Sequence, residues 1–151
     1  MVSDDVTDRL GVFKTLDEVP EEYRLCRHDR LFAGRDAYAA WEAENIDAEW
    51  ALKEAGRVER QWKSHMEGRG RHHALATPAD VEAFLADLAD DVQIERVYTP
   101  YWLFLKRFYH WMAWHTDYPH RYNPVLMACA EHPTSERVWN HVMNDVKTAF
   151  K

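Results

Sequence analysis

Basic and histidine side chains, which are suited to bind a nucleic acid, cluster in two segments of this 151-residue sequence. Residues 57–73 carry five Lys and Arg against two acidic residues, and residues 96–122 carry four against one. Lys and Arg favour nucleic-acid phosphates because their binding releases condensed counterions. Residues 1–56 and 74–95 are acidic, and the net charge of the chain is −7 at pH 7. The distribution predicts a positive face on a negative molecule, with chance clustering of charge as the alternative.

Ten side chains in these segments are candidate contacts with double-stranded DNA. We call residues 57–73 the first basic island and residues 96–122 the second basic island. The lysines and arginines are expected to position phosphates. His72 and His73 are expected to touch a phosphate or a base edge, with a solvated loop as the alternative. The first basic island contributes Arg57, Arg60, Lys63, Arg69, Arg71, His72 and His73, and the second contributes Lys106, Arg107 and His110.

A metal site is a weaker interpretation of the histidine-rich segment that follows. His115, Asp117 and His120 have the spacing H-x-D-x-x-H, and their side chains are of the types that bind zinc. A metal site needs three or four converging ligands, but Pro119 interrupts a helix between these residues. Satisfied or solvent-exposed histidines are therefore the favoured interpretation, and we expect neither a metal nor a cofactor.

Motifs of nucleotide-binding and esterase chemistry do not occur in the sequence. It contains no G-x-x-x-x-G-K-[ST], no G-x-G-x-x-G and no G-x-S-x-G. The carboxylates scatter over predicted solvent faces, so no paired general acid and base can be picked out. A non-catalytic protein is therefore expected.

The composition favours a single all-helical domain in a reducing compartment. Hydrophobic residues make up 46% of the chain, only five residues are Gly, and no alternating β-branched run occurs. The two cysteines are isolated, and no apolar stretch is long enough for a signal peptide or a membrane span. We expect a cytoplasmic protein without a membrane partner, with residues 1–20 as an acidic flexible tail and residues 21–151 as the helical domain.

A helix predicted over residues 47–66 carries much of the first basic island. Its apolar residues recur every three or four positions, which places them on one face. Gly68 and Gly70 end the helix, because two close glycines destabilise helical backbone and permit a positive φ. The predicted buried stripe consists of Ala51, Ala55, Val58, Trp62 and Met66.

Two Thr-Pro pairs predict the beginnings of the next two helices. Thr77 is the expected N-cap and Pro78 the first helical residue. Thr99 and Pro100 repeat this signal for a helix that runs to about His115. Its predicted buried stripe is Val97, Tyr101, Phe104, Leu105, Phe108, Trp111 and Met112, and its opposite face, a candidate contact face, carries Leu103, Lys106, Arg107, His110 and Trp114.

Three segments in order along the chain carry a family resemblance. Ala74–Leu88 has a Thr-Pro pair followed by an acidic and apolar helix. Leu105–Met112 has a leucine, a basic residue, a phenylalanine, an aromatic residue and a tryptophan, and Asn123–Val125 contains an Asn-Pro pair. Together they resemble the amino-terminal core-binding domain of tyrosine recombinases and phage integrases, which is of the SAM-like type. The resemblance covers roughly residues 36–130.

The resemblance implies a bundle of four to six helices that clamps one side of duplex DNA. In full-length relatives a second domain follows, which carries an arginine, a lysine, a His-x-x-Arg motif and a tyrosine nucleophile. None of the nine histidines of this sequence is followed three positions later by Arg. The resemblance therefore implies a DNA-binding protein without catalysis, accessory or regulatory in recombination, replication or transcription.

Two segments resemble those of integrase-like proteins of halophilic archaea in particular. They are Arg69–His73 and His115–His120, and an acidic chain with 13 Arg and 6 Lys also suits a salt-rich cytoplasm. At molar salt the Debye length is about 3 Å. Hydrogen bonds and close apolar contacts must then contribute more of the binding than counterion release does.

A protein–protein module is the alternative from a different functional class. In this interpretation the bundle has lost DNA contact and uses exposed aromatic residues to form a homodimer or to dock a recombinase partner. Aromatic and arginine anchors are typical of such interfaces. The candidate anchors are Trp102, Trp114 and Trp139.

Overall fold

The computed structural model describes residues 5–149, with side chains up to residue 145, and this part of the chain is helical and contains no strand. The all-helical prediction is therefore confirmed. The described residues form more α-helices than the predicted four to six helices, because two of the observed helices are very short. The α-helices are α1 (Asp29–Phe32), α2 (Ala37–Asn45), α3 (Glu49–Gly68), α4 (Pro78–Asp91), α5 (Ile94–Arg96), α6 (Leu103–Trp114), α7 (Pro124–Glu131) and α8 (Pro133–Ala149).

Aromatic side chains fill the interior between α2, α3, α4 and α6. Trp41, Trp62, Phe108 and Tyr109 are all at most 2% exposed. The rings meet edge to face, with centroids 5.9 Å apart for Trp41 and Phe108 and 6.5 Å apart for Trp62 and Tyr109. Such pairs contribute about 0.5–1.5 kcal/mol beyond the burial of their area. No described helix combines the length and apolar character that crossing a bilayer requires.

The predicted features of α3 and α4 are present in the structure. All five residues of the α3 stripe are buried, and Gly70 follows the helix with a φ of 76°. At α4, the Thr77 hydroxyl accepts a hydrogen bond from the Asp80 amide (3.1 Å), and the Asp80 carboxylate accepts one from the Thr77 amide (2.9 Å). This reciprocal capping box satisfies two amides that the helix itself leaves free.

The helix start predicted at Thr99 and Pro100 is present in the structure. An irregular π-helical segment, Val97–Trp102, leads into α6, and within it Thr99 has extended backbone angles, as an N-cap residue does. Six residues of the predicted buried stripe are buried, whereas Trp111 is only partly buried. The indole N–H of Trp111 donates to the carboxylate of Glu44 (2.8 Å).

Residues 5–19 pack against the helices, in the region where the sequence predicts a flexible tail. Val6 and Val19 belong to the buried core, and the turn Val6–Arg9 contacts α7. The amide of Leu16 also donates to the carboxylate of Glu131 in α7 (3.3 Å). Residues 1–4 of the predicted tail lie outside the described part of the chain.

A carboxylate from α4 caps the amino-terminal end of α8, the last helix. Glu82 of α4 accepts hydrogen bonds from the amides of Thr134 (3.0 Å) and Ser135 (2.9 Å) and from the Ser135 hydroxyl (2.9 Å). A carboxylate is favourable there because amides at a helix N-terminus lack partners and the helix dipole is positive. The first turn of α8 is thereby fixed to α4.

Replacement of a core tryptophan tests this packing. Trp62 is fully buried, and its indole N–H donates to the His73 carbonyl (2.9 Å). We expect Trp62→Ala to lower the free energy of unfolding by about 3–5 kcal/mol, because it leaves a cavity. In the matched control Trp50→Ala, which removes a tryptophan that is 71% exposed, we expect a change of about 0.5 kcal/mol or less. Urea denaturation measures both, and equal losses would contradict the assigned core.

Candidate nucleic-acid interface

Arg69 and Arg71 of the first basic island bind a buried carboxylate. Asp80 has no exposed surface, and its oxygens accept hydrogen bonds from Arg69 Nε, from Arg71 Nε (2.6 Å) and from Arg71 Nη2 (2.7 Å). Burial by itself would raise the pKa of Asp80, but the hydrogen bonds from Arg71, Thr77 and Arg69 hold it well below its usual range. Two guanidinium groups thus share one carboxylate, which leaves one net positive charge at this place.

The two histidines of the same loop are structural in this arrangement. His73 is buried, and its Nε2 accepts a hydrogen bond from the Tyr38 amide (3.2 Å). Burial, together with the neighbouring His72 and Lys63, lowers the pKa of His73 to about 3, so the ring is neutral at pH 7. His72 Nε2 lies 2.8 Å from the Arg35 carbonyl. His73 therefore lies in the interior, where no phosphate reaches it, and the pair does not form a solvated loop.

Of the three cations that the first basic island places on α3, two form ion pairs with carboxylates. Lys63 Nζ donates to two carboxylates, at 2.8 Å and 2.7 Å, and Arg57 forms an ion pair of 3.6 Å within its own helix. Arg60 is exposed, and no ion pair engages it in the described part of the chain. The partners are Asp36 and Glu59 for Lys63 and Glu54 for Arg57. Much of the positive charge of the first basic island is therefore compensated.

Lys106 and Arg107 of the second basic island converge with Arg9 from the amino-terminal turn. No ion pair engages these three side chains within residues 5–149. Burial, and then the charges of Arg107 and Arg9, lower the pKa of Lys106. Lys106 Nζ lies 5.5 Å from the ring centre of Trp102, and Arg9 Cζ lies 5.6 Å from that of Trp139. Aromatic faces, not carboxylates, therefore contact Arg9 and Lys106.

An open groove with a volume of about 720 Å³ lies beside these cations. This volume is in the range of about 300–1,000 Å³ that ligand sites have. Its floor and walls come from α2, α6, α7, α8 and the amino-terminal turn, and no acidic residue lines it among residues 5–145. Glu44 touches the lining through its hydrogen bond with Trp111. We call this feature the cationic groove, and its polar and tryptophan lining consists of Arg9, Lys106, Arg107, His110, His115, Asn45, Trp41, Trp111, Trp114 and Trp139.

Trp114 is the most exposed aromatic side chain of the cationic groove. It is 79% exposed at the end of α6, and its ring faces that of His110, which is also exposed, with centroids 6.1 Å apart. The other two aromatic residues proposed as interface anchors are buried: Trp102 is 1% and Trp139 is 4% exposed. Their rings pack against each other, with centroids 6.4 Å apart, because α8 lies against the segment before α6.

The structure does not join the two basic islands in one pocket. The cationic groove contains the three candidates of the second basic island and none of the first. Arg9 is the residue that sequence reasoning missed, because it lies in the acidic segment that was interpreted as a tail. One local signal indicates the position of Arg9. The apolar residues Val6 and Leu10 are four residues apart on either side of it, and a turn with this spacing packs its apolar residues on a core.

The candidate metal residues do not converge. His120 is buried, and its Nε2 lies 2.7 Å from the Ala74 carbonyl, whereas Asp117 is exposed and its amide donates to His115 Nδ1 (3.1 Å). Burial lowers the pKa of His120 to about 4. Within the described residues, no group of three or more His, Cys, Asp or Glu side chains is arranged to hold a metal ion.

Comparison with known proteins gives this chain no relatives. No known protein family, no curated protein and no solved structure matches it. The structure itself shows an all-helical protein with a groove in which cations and tryptophans converge. The similarity to recombinase core-binding domains stays a hypothesis, which rests on the sequence motifs.

Removal of the buried carboxylate tests its assigned role. We expect Asp80→Asn to lower the free energy of unfolding at pH 7 by about 2 kcal/mol or more, because hydrogen bonds to charged groups contribute about 1.5–3 kcal/mol. Asp87→Asn, at an exposed position of the same helix, is the matched control, with an expected change within about 0.5 kcal/mol. Urea denaturation distinguishes the two variants. Equal stability of Asp80→Asn and the native protein would show that the arginine pairing contributes nothing.

The two buried histidines predict that mild acid destabilises the fold. The pKa of His73 is about 3 and that of His120 about 4 in the folded protein, below the ordinary 6.5. Their contribution is fully present above about pH 6.5 and is lost as the pH falls towards these values, because the unfolded chain then binds more protons. Each histidine adds up to about 1.4 kcal/mol per pH unit. Denaturation between pH 7 and 4.5 measures the slope, which must flatten in His73→Gln/His120→Gln if the assignment is right.

Proposed function

We propose that this protein is a non-catalytic DNA-binding protein and that the surface around the cationic groove contacts the DNA. The observation that carries the proposal is the convergence of Arg9, Lys106 and Arg107 without a carboxylate partner among the described residues. Like charges held together repel each other, and a bound anion relieves this repulsion. A row of phosphates is an anion of the required size and charge.

The number of converging cations sets the expected salt dependence. Three phosphate contacts give a slope of about −2.7 for the logarithm of the binding constant against the logarithm of the salt concentration. His110 lies beside the cations and adds a hydrogen-bonding group to the same surface. The cationic groove is therefore suited to positioning a DNA backbone more than to reading a base sequence.

The tyrosines support a role without strand cleavage. Burial raises the pKa of Tyr109 and of Tyr122, which makes both phenols poor nucleophiles. The Tyr109 hydroxyl donates to the His73 carbonyl (2.8 Å) and accepts from the Ala76 amide (3.0 Å), so it is fully occupied in the core. With the similarity to core-binding domains, this supports an accessory or regulatory role in recombination, replication or transcription, in the cytoplasm.

A docking module for another protein is the second candidate function. The exposed rings of Trp114 (79%) and Trp50 (71%) favour it, because such large apolar side chains are typical of interface centres. Sedimentation velocity distinguishes this candidate. A tight dimer that Trp114→Ala dissociates would support the docking module, and a monomer at all concentrations would remove the homodimer.

Arg69 and Arg71 are poor positions for a test of DNA binding. Their replacement by Glu would leave Asp80 buried beside negative charge and would unfold the region around α4. A loss of binding in that variant would therefore report on stability. The half-buried Lys106 and exposed Arg107 of the cationic groove and the exposed cations of α3 do not bind a buried carboxylate, so they allow a comparison without this complication.

Charge reversal in the cationic groove tests the proposed function. We expect Lys106→Glu/Arg107→Glu to weaken the binding of a blunt duplex by about 100-fold or more and to reduce the salt slope by about 2, one unit for each phosphate contact. Arg57→Glu/Arg60→Glu makes the same number of charge reversals on the exposed face of α3 and serves as the matched control, with an expected loss of about threefold or less. Fluorescence anisotropy across salt concentration measures both. Absence of binding by the native protein at every salt concentration, or equal losses in both variants, would reject the proposal.

A further inference from the structure

An arginine, a histidine and an exposed tryptophan follow one another along one face of α6. Arg107, His110 and Trp114 are spaced by three and four residues, so they lie on the same side of the helix. Trp114 lies about 10 Å further along the helix axis than Arg107, at 1.5 Å per residue. The cationic groove therefore offers positive charge at one end of this face and a flat apolar ring at the other.

The partners of the Trp114 ring decide what the ring can bind. The interior rings contact one another, but Trp114 has His110 as its ring partner and is 79% exposed. A phosphate backbone offers no flat apolar surface, and the bases of an intact duplex are stacked on each other inside it. An unpaired base has a free face, and such bases stack on exposed aromatic side chains in proteins that bind single strands.

We propose that the cationic groove binds unpaired nucleotides of a DNA strand, with the phosphates at Arg9, Lys106 and Arg107 and a base stacked on Trp114. This inference rests on the proposed function and specifies which form of DNA the protein prefers. The volume of about 720 Å³ admits a ligand of nucleotide size. A bound phosphate relieves the mutual repulsion of the three cations, which favours its binding. Stacking on the Trp114 ring favours an unpaired base over a paired one.

The stacking contact also changes how the binding responds to salt. A contact between two flat apolar faces is not an interaction between charges, so a short Debye length does not screen it. The phosphate contacts weaken as salt rises, whereas the contribution of Trp114 persists. The preference for a single strand over a duplex is therefore expected to grow with salt concentration.

The test compares three forms of DNA and two matched tryptophan variants of the full chain. The DNA forms are a blunt duplex, the same duplex with an overhang of about six nucleotides, and a single strand, because one protein domain covers about 4–16 nucleotides. The variants are Trp114→Ala, which removes the proposed stacking face, and Trp50→Ala, which removes a tryptophan exposed outside the cationic groove. Fluorescence anisotropy measures each affinity at low and at high salt, and a free mononucleotide is added as a competitor.

The expected result is tighter binding of the overhang and of the single strand than of the blunt duplex. Trp114→Ala should weaken single-strand binding by about 5- to 150-fold, the range that loss of one stacked base produces, and should weaken duplex binding by a much smaller factor. Trp50→Ala should bind all three forms as the native protein does. Unchanged circular dichroism and thermal unfolding of Trp114→Ala show that the variant is folded.

Three results would overturn the inference. Equal binding of blunt duplex and single strand, unaffected by Trp114→Ala, would reject the stacking site and leave the proposed function standing. Competition by a free mononucleotide as strong as that by the strand would assign the cationic groove to a small nucleotide. Absence of binding to all forms of DNA would reject the proposed function, and the inference with it.

Discussion

The buried carboxylate of Asp80 is the interaction on which the arrangement of this protein depends. A charge without exposed surface is stable only when hydrogen bonds and opposite charges surround it, and Arg69, Arg71 and the Thr77 amide provide them. These contacts tie the loop after α3 to the first turn of α4. The same loop accepts hydrogen bonds from the core, including that of the Trp62 indole. The loop that contains Arg69 and Arg71 is basic in sequence, and its arginines therefore serve to connect α3 to α4.

Local charge in the sequence and free charge at the surface are consequently different quantities in this protein. The first basic island is the richer in cations, but carboxylates distant in sequence compensate several of them, as Asp36 does for Lys63. The cationic groove has fewer cations from any one segment, yet Arg9 joins Lys106 there across almost a hundred residues. The folded chain thus brings together cations that lie far apart in the sequence and that form no ion pair in the described part of the chain.

Features set by neighbours three or four residues apart were predictable from the sequence. The capping box at Thr77, the buried stripe of α3 and the all-helical class follow from such spacing. Contacts between distant segments were not: the burial of Trp102 depends on α8, and the position of Arg9 depends on a turn in an acidic segment. The candidate site was predictable in part. The face of α6 that carries Lys106 follows an i, i+3, i+4 pattern, whereas the groove beside it forms from segments that are distant in sequence.

The cap that Glu82 places on α8 has a consequence for how the molecule folds. The first turn of α8 finds acceptors for its amides only when α4 is in place, so the carboxyl-terminal helix is not an autonomous unit. Formation of one helix then favours the other, and opening of one favours opening of both. This reciprocal dependence is expected to make the opening of α4 and of α8 cooperative.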